Sequence, residues 1–250
     1  MQFQEKIVLL TGASGGIGKA IAESFAAEGA RLALVGRNSL RTEETASATG
    51  AEYFSTIDIT KPENCRELVR DVAFRLGSVD VLVNNAGGIA RGNTAEVTEK
   101  EWFELFDINV HAPFFLSQEA IRIMQNQQNK GVIVNISSVL GLRGKKEHII
   151  YCTTKGALIQ MTRSMALDCA EQGIRINAVC PGTTDTPMPL SKHKAPMTHE
   201  LLLENSVRMI PLKRPADPVE IAKTVLFLAS DSASYITGTT LSVDGGVSAG

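Results

Sequence analysis

The 250-residue chain lacks the features that would direct it to a membrane or to nucleic acid. No apolar run approaches the roughly 20 residues of a membrane span, and the first residues lack the basic and apolar regions of a secretory signal. The 25 basic and 27 acidic residues give a formal net charge of -2, which offers no electrostatic footprint for nucleic acid or an anionic membrane. We therefore expect a cytoplasmic protein that binds neither.

Cysteine is scarce as well. The four cysteines, at positions 65, 152, 169 and 180, are scattered without the spacing of metal ligands. We expect reduced thiols in packing positions and no metal site. Cys152 adjoins Tyr151, but neighbouring residues of a helix point about 100° apart, which favours packing for this thiol too.

The chain also lacks internal repeats, low-complexity segments and a Gly/Ser linker. Instead, short runs rich in Val, Ile and Leu alternate with helical segments, the pattern of a parallel sheet covered on both faces. The candidate strands are residues 7–10, 32–35, 53–57, 81–83, 132–136, 174–179 and 241–243. We predict an α/β fold, a single doubly wound Rossmann-type domain over residues 1–250.

One segment departs from this regular alternation. Seven of the nine prolines lie between positions 181 and 218. A long irregular segment in a compact α/β domain is usually either a lid or disordered. We favour a substrate-covering lid over residues 183–217.

Glycines are concentrated directly after the first candidate strand, where the chain reads TGASGGIG from Thr11 to Gly18. Glycines permit a tight turn and a close backbone approach, and the N-terminus of the following helix presents N–H groups and a partial positive charge to a pyrophosphate. Between a strand and a helix, such a sequence indicates a dinucleotide site.

Tyr151 and Lys155 are four residues apart, so a helix places both side chains on the same face. A nearby cation favours the ionised form of a phenol and lowers its pKa from about 10. By itself the spacing also fits a surface tyrosine packed on a lysine stem. The spacing alone does not distinguish an acid–base pair from this packing.

The whole chain resembles the short-chain dehydrogenase/reductase family, in its branch of about 250 residues. The family marks occur in order: Thr11-Gly12-x-x-x-Gly16-Ile17-Gly18, Asp58, Asn84-Asn85-Ala86-Gly87, Asn109, Ser138, Tyr151-x-x-x-Lys155, Pro181-Gly182 and Val243-Asp244-Gly245-Gly246. The resemblance implies a seven-stranded parallel sheet and hydride transfer between a nicotinamide and a carbonyl or secondary alcohol of a small molecule.

The resemblance also implies four catalytic residues. Tyr151 would be the general acid and base, and Lys155 would lower its pKa and bond the nicotinamide ribose. Ser138 would hydrogen-bond the substrate oxygen, with Ser137 as its rival; the 13-residue spacing to Tyr151 and strand alternation favour Ser138. Asn109, a poor helix former within a helix, would connect Lys155 with solvent through backbone and water.

A larger set is implied to bind the coenzyme. Asp58 resembles the acid that receives the adenine amine, and Thr186 the residue that bonds the nicotinamide carboxamide. Thr183 stands where many relatives have an aliphatic residue. The full set is Gly12, Ser14, Gly16, Ile17, Gly18, Arg37, Asp58, Asn85, Ala86, Gly87, Tyr151, Lys155, Pro181, Gly182, Thr184 and Thr186.

The end of the second strand bears on which coenzyme is used. An acid there accepts the adenosine-ribose hydroxyls and selects NAD, whereas an arginine accommodates the 2′-phosphate of NADP. This chain has Gly36 in the place of the acid, followed by Arg37, with Arg41 near it in sequence. Gly15 replaces the basic residue of some NADP-dependent relatives, which leaves Ser14 as a weaker phosphate contact. The sequence predicts NADP(H), with NAD(H) possible.

The substrate is open at this stage. The basic turn 143–146 and His148 join Ser138 to Tyr151 and could attract a carboxylate or phosphate, or could be a solvated turn. Alternatives to a reductase are an NAD-dependent alcohol, diol or sugar dehydrogenase, a non-catalytic coenzyme sensor, and an epimerase or dehydratase. Helices beginning near Trp102 and Tyr151 resemble those through which the family forms tetramers, so we expect a homotetramer or homodimer.

Overall fold

A computed structural model describes residues 1–128, 130–186 and 207–249. Its centre is a seven-stranded sheet in the order β3-β2-β1-β4-β5-β6-β7, and every neighbouring pair is parallel. The strands are β1 (Ile7–Thr11), β2 (Arg31–Val35), β3 (Tyr53–Ser55), β4 (Val81–Asn84), β5 (Val132–Ile136), β6 (Arg175–Pro181) and β7 (Thr240–Val243). The predicted doubly wound α/β fold is confirmed.

Helices connect the strands and cover both faces of the sheet. They are α1 (Gly16–Ala27), α2 (Ser39–Thr49), α3 (Pro62–Leu76), α4 (Glu99–Phe106), α5 (Ala112–Asn126), α6 (Ile149–Cys169) and α7 (Pro218–Ala229). A π-helical turn, Asp107–His111, joins α4 to α5. No described helix is long and apolar enough to span a membrane.

The alternation of side chains along β1 explains the two layers. Val8 and Leu10 point to a core formed with α1 and α7, where Ile21 and Val225 are fully buried. Leu9 points to the opposite core, which α3, α5 and α6 cover. Because both faces are buried, the strands are continuous apolar runs instead of alternating ones.

Strand boundaries differ slightly from the predictions. β3 ends at Ser55, two residues early, because the Ser55 hydroxyl accepts a hydrogen bond from Ile57 N at 3.2 Å and turns the chain. β6 continues to Pro181, which pairs with Val243. Strand order reverses between β1 and β4, and all carboxyl ends lie on one edge, where ligands of such sheets bind. Residues 187–206 of the predicted lid lie outside the described part of the chain.

Candidate active site at the carboxyl edge of the sheet

The glycine-rich loop after β1 is closely packed at Gly12 and Gly18 and open at Gly15. At Gly12 (φ +71°), a Cβ would stand 2.7 Å from Asn85 Nδ2 and 2.9 Å from Ala86 N. A Cβ at Gly18 would run into the Gly12 carbonyl, whereas one at Gly15 would meet nothing within 4 Å. Gly15 precedes α1 and provides no side-chain cap. The first N–H groups of α1 therefore have no side-chain cap at Gly15, as at helix N-termini that bind phosphate groups.

Asn85 and Thr11 fasten this loop to the end of β4. Asn85 Nδ2 donates to the carbonyls of Thr11 (3.0 Å) and Gly12 (3.1 Å). In return, Thr11 Oγ1 accepts from the backbone N–H groups of Asn85 and Ala86, each at 3.1 Å. The Asn85 amide is thus a brace between two loops. Thr11 is a site residue whose side-chain role the sequence did not reveal, because its partners lie more than 70 positions away.

Asn109 lies fully buried in the π-helical turn, a departure from α-helix that is frequent at functional sites. Its Oδ1 accepts from Gly88 N at 2.8 Å, and its Nδ2 donates to Gly88 O at 3.0 Å and to Thr154 Oγ1 at 3.1 Å. A Cβ at Gly87 would stand 3.0 Å from Asn109 Oδ1 and 3.5 Å from Lys155 Nζ. Asn109 therefore fixes the loop that lies against Lys155.

Ser138 and Tyr151 are brought together by the end of β5 and the first turn of α6. Burial raises the pKa of Tyr151, and a hydrogen bond with Ser138 opposes that rise. The neighbouring Ser137 points the other way and donates to Lys155 O at 2.8 Å. Of the two serines, Ser138 is the one that lies against the Tyr151 hydroxyl.

Lys155 is buried, with 5% of its surface exposed, and its Nζ donates to Ile136 O at 2.8 Å. The Nζ lies 5.9 Å from the centroid of the Tyr151 ring. Burial lowers the pKa of Lys155 to about 8. Burial is the largest effect on the pKa of Tyr151 and raises it, while the Lys155 ammonium is directed at a backbone carbonyl.

At the end of β2, the structure explains why Gly36 holds no acid. A Cβ there would collide with Thr42 Oγ1, which donates to Asn38 O at 2.7 Å and is fully buried. Ser14 also lies beside Gly36. Arg37 is exposed on the rim, and its charge helps to lower the pKa of Asp58. The Thr60 hydroxyl and N–H, both bonded to Asp58 Oδ1, are the larger causes.

The segment after β6 returns to the glycine-rich loop. Thr186 is buried, and its Cγ2 would lie 3.2 Å from a Cβ at Gly16. Thr184 is also buried and donates to Gly182 O at 3.3 Å. A Cβ at Gly182 would stand 2.7 Å from Asp244 Cα. Thr186, expected at the nicotinamide end, thus lies against Gly16, expected at the phosphates.

A parallel sheet with a glycine loop at its switch point and a Ser, Tyr and Lys set beside it defines the class of nicotinamide-dependent oxidoreductases. A family model described as enoyl-(acyl carrier protein) reductase matches residues 12–248. The chain belongs to the short-chain dehydrogenase/reductase family. It is therefore an oxidoreductase of small molecules that uses a nicotinamide coenzyme, NAD or NADP.

Similar proteins cover the chain from end to end. An uncharacterized oxidoreductase of Thermotoga maritima is 40% identical over 253 residues, spanning 100% of both chains. The 3-oxoacyl-[acyl-carrier-protein] reductase of the same organism is 36% identical and covers 99% of each chain. Among solved structures, levodione reductase is 34% identical, with a TM-score of 0.94 and 99% coverage of each chain. The named relatives act on different substrates, so the similarity alone does not identify a substrate for this chain.

Proposed function

We propose that this chain is an NADP(H)-preferring reductase of small-molecule ketones, working reversibly on secondary alcohols, with Tyr151 as general acid and base. The observation that supports this most directly is the contact of Tyr151 with Ser138 beside the buried Lys155. A coenzyme-binding sensor has little use for these three side chains at one place. An epimerase or dehydratase of this type usually has a larger substrate domain.

In this proposal, each side chain has a separate task. The bound coenzyme supplies or accepts the hydride. Ser138 donates a hydrogen bond to the substrate oxygen and orients it, and Tyr151 gives that oxygen its proton. Burial raises the pKa of Tyr151, so the phenol holds a proton that it can donate during reduction. Lys155 supplies positive charge near the ring when the proton has left.

Asn109 would act by positioning. Through Gly88 and Thr154 it fixes both the loop below Lys155 and the helical turn that precedes it. The glycine-rich loop and α1 would bind the pyrophosphate, together with Ser14 and Ile17. Asp58, Ala86, Gly87 and the segment from Pro181 to Thr186 would line the rest of the coenzyme cleft.

The preference for NADP(H) rests on β2 and its neighbours. Thr42 fills the space that an acidic side chain at Gly36 would need, so the usual acceptor for the ribose hydroxyls has no room. Arg37 is exposed one residue further on, where a guanidinium can bond a 2′-phosphate with two donors. An NAD-dependent alcohol, diol or sugar dehydrogenase is the second candidate, favoured by the absence of a basic residue at Gly15.

Consumption of NADPH and NADH against a panel of ketones tests both parts of the proposal. We expect kcat/KM to be at least tenfold higher with NADPH, and Arg37→Asp to remove most of that difference by raising KM for NADPH much more than for NADH. Lys130→Asp, at an exposed position before β5, is the matched charge-reversal control and should change neither the kcat/KM with NADPH nor that with NADH. An unchanged coenzyme preference in Arg37→Asp would refute the assignment of Arg37.

We also propose a homotetramer or homodimer in the cytoplasm. Large apolar side chains are exposed on α4, α5 and α6, including Phe103 (52%), Phe114 (37%) and Leu167 (80%). Such exposure is typical of surfaces that associate with other protein subunits. Light scattering should give a mass two or four times 26.9 kDa, and a monomer at micromolar concentration would contradict the proposed assembly.

The proposed cytoplasmic location rests on the cysteines. All four are free thiols, as in a reducing compartment.

A further inference from the structure

Thr154, which directly precedes Lys155 in α6, has a buried hydroxyl with two hydrogen-bond partners. None of its surface is exposed. Its Oγ1 lies 3.0 Å from the backbone oxygen of Tyr151 and 3.1 Å from Asn109 Nδ2. One hydroxyl therefore joins the helical turn that begins at Tyr151 to the π-helical turn that contains Asn109.

The chemistry of the two partners fixes the direction of both hydrogen bonds. The backbone oxygen of Tyr151 can only accept, so the Thr154 hydroxyl donates its one proton there. Towards Asn109 the same hydroxyl oxygen can then only accept. The Asn109 amide must therefore turn its Nδ2 towards Thr154. This choice needs a cause, because the nitrogen and oxygen ends of an amide have nearly the same shape.

With Nδ2 turned to Thr154, the oxygen of the Asn109 amide faces the loop after β4. Oδ1 accepts from Gly88 N at 2.8 Å, and the second Nδ2 proton is donated to Gly88 O at 3.0 Å. A Cβ at Gly87 would stand 3.0 Å from Asn109 Oδ1 and 3.5 Å from Lys155 Nζ, so this oxygen and the ammonium lie against the same residue. A reversed amide would turn its NH2 group towards the ammonium and would offer Gly88 N no acceptor.

Thr162 of the same helix is bonded in the same way but lies further from the site. It is fully buried, its Oγ1 donates to Leu158 O at 2.7 Å, and it accepts from Asn135 Nδ2 at 2.9 Å. It stands about two helical turns beyond Lys155. A comparison of the two threonines therefore separates a purely structural pair of hydrogen bonds from one that acts on the site.

We propose that Thr154 is a positioning residue for proton transfer. Its hydroxyl selects the direction of the Asn109 amide that suits Lys155, and it ties that amide to the turn of Tyr151. The inference rests on the proposed reductase activity of the same site. Thr154 acts through Asn109 and is not itself a catalytic residue. Its loss matters because a misplacement of about 1 Å can lower a rate by about 100-fold.

Thr154→Val tests this, because valine is also β-branched but has no hydroxyl. We expect kcat for ketone reduction to fall by about 10- to 100-fold, while KM for NADPH stays within about twofold of the wild type. Thr154→Ser keeps the hydroxyl and should retain kcat within about threefold. Thr162→Val, which loses the equivalent pair of hydrogen bonds, should lower Tm as much as Thr154→Val does without lowering kcat.

A double-mutant cycle tests whether Asn109 is the residue through which Thr154 acts. In the Asn109→Ala background, adding Thr154→Val should change kcat by less than about twofold, because the amide that Thr154 directs is gone. The proposal is overturned if the two losses multiply, if Thr154→Val keeps wild-type kcat, or if Thr162→Val loses as much activity. Each of these results leaves the reductase proposal intact.

Absence of turnover with every ketone would refute the reductase proposal, so the role of Thr154 is also measured without activity. In protein with isotope-labelled asparagine, loss of a signal in Asn109→Ala identifies the Asn109 side-chain NH2 group by NMR. Exchange of these protons with solvent reports how firmly the amide is held. Exchange about tenfold faster in Thr154→Val than in Thr162→Val supports the proposed direction of the amide, and equal exchange refutes it.

Discussion

Tyr151→Phe is expected to lower kcat for ketone reduction by about 10²–10⁴, the range that a positioned general acid contributes. Phenylalanine keeps the ring and its packing but removes the hydroxyl that would protonate the substrate oxygen. Coenzyme affinity should change little, because the glycine-rich loop and the α1 N-terminus lie elsewhere in the cleft. NADPH binding followed by fluorescence and steady-state turnover of the same preparation measure the two effects separately.

Tyr235→Phe is the matched control, because Tyr235 is fully exposed and far along the sequence from the site. It should leave turnover and coenzyme binding unchanged. Retention of more than a tenth of wild-type kcat in Tyr151→Phe would remove Tyr151 from the role of acid. If wild-type protein binds NADPH but turns over no carbonyl or alcohol, the sensor becomes the better account of the fold.

The fold was predictable because its signal is local and repeated. The central strands β1, β4 and β5 are short, largely apolar runs, as burial on both faces of a parallel sheet requires. The placement of Ser138 against Tyr151 was predictable for a related reason. Alternation along β5 continues into the two serines, so Ser137 and Ser138 point to opposite sides, as they do in the structure.

Long-range contacts were not predictable from single residues. The hydrogen bonds between Asn85 and Thr11 join positions more than 70 residues apart. The direction of the Tyr151 pKa shift could not be derived from spacing, because it depends mainly on the extent of burial, which is set by packing around the ring.

Lys155→Met is expected to abolish most activity while making the protein more stable. The pKa of Lys155 falls from 10.5 to about 8 on folding, because burial penalises its charged form. At 1.36 kcal/mol per pKa unit, keeping the ammonium charged at pH 7 costs about 3 kcal/mol. Loss of the hydrogen bond to Ile136 O destabilises the variant by about 1 kcal/mol. The net increase in the free energy of unfolding is therefore about 2 kcal/mol. This corresponds to a rise in Tm of about 4–8 °C.

The pH dependence of that gain identifies its cause. Below pH 8 the lysine is charged in both folded and unfolded states, so the wild type bears the full penalty. Between about 8 and 10.5 the unfolded state binds more protons, and wild-type stability therefore rises with pH relative to the variant. The advantage of Lys155→Met should be constant below pH 8 and shrink as pH rises towards 10.5. Chemical denaturation at pH 7 and pH 9.5 measures this change.

Lys130→Met provides the comparison, because it makes the same substitution at an exposed lysine and should leave both Tm and kcat near the wild-type values. A destabilised Lys155→Met would mean that the ammonium's contacts outweigh its burial penalty. A stability gain that does not vary with pH would point to apolar packing of the methionine instead of relief of charge. A stabilised but inactive variant would show that the site keeps a costly buried charge because its activity requires it.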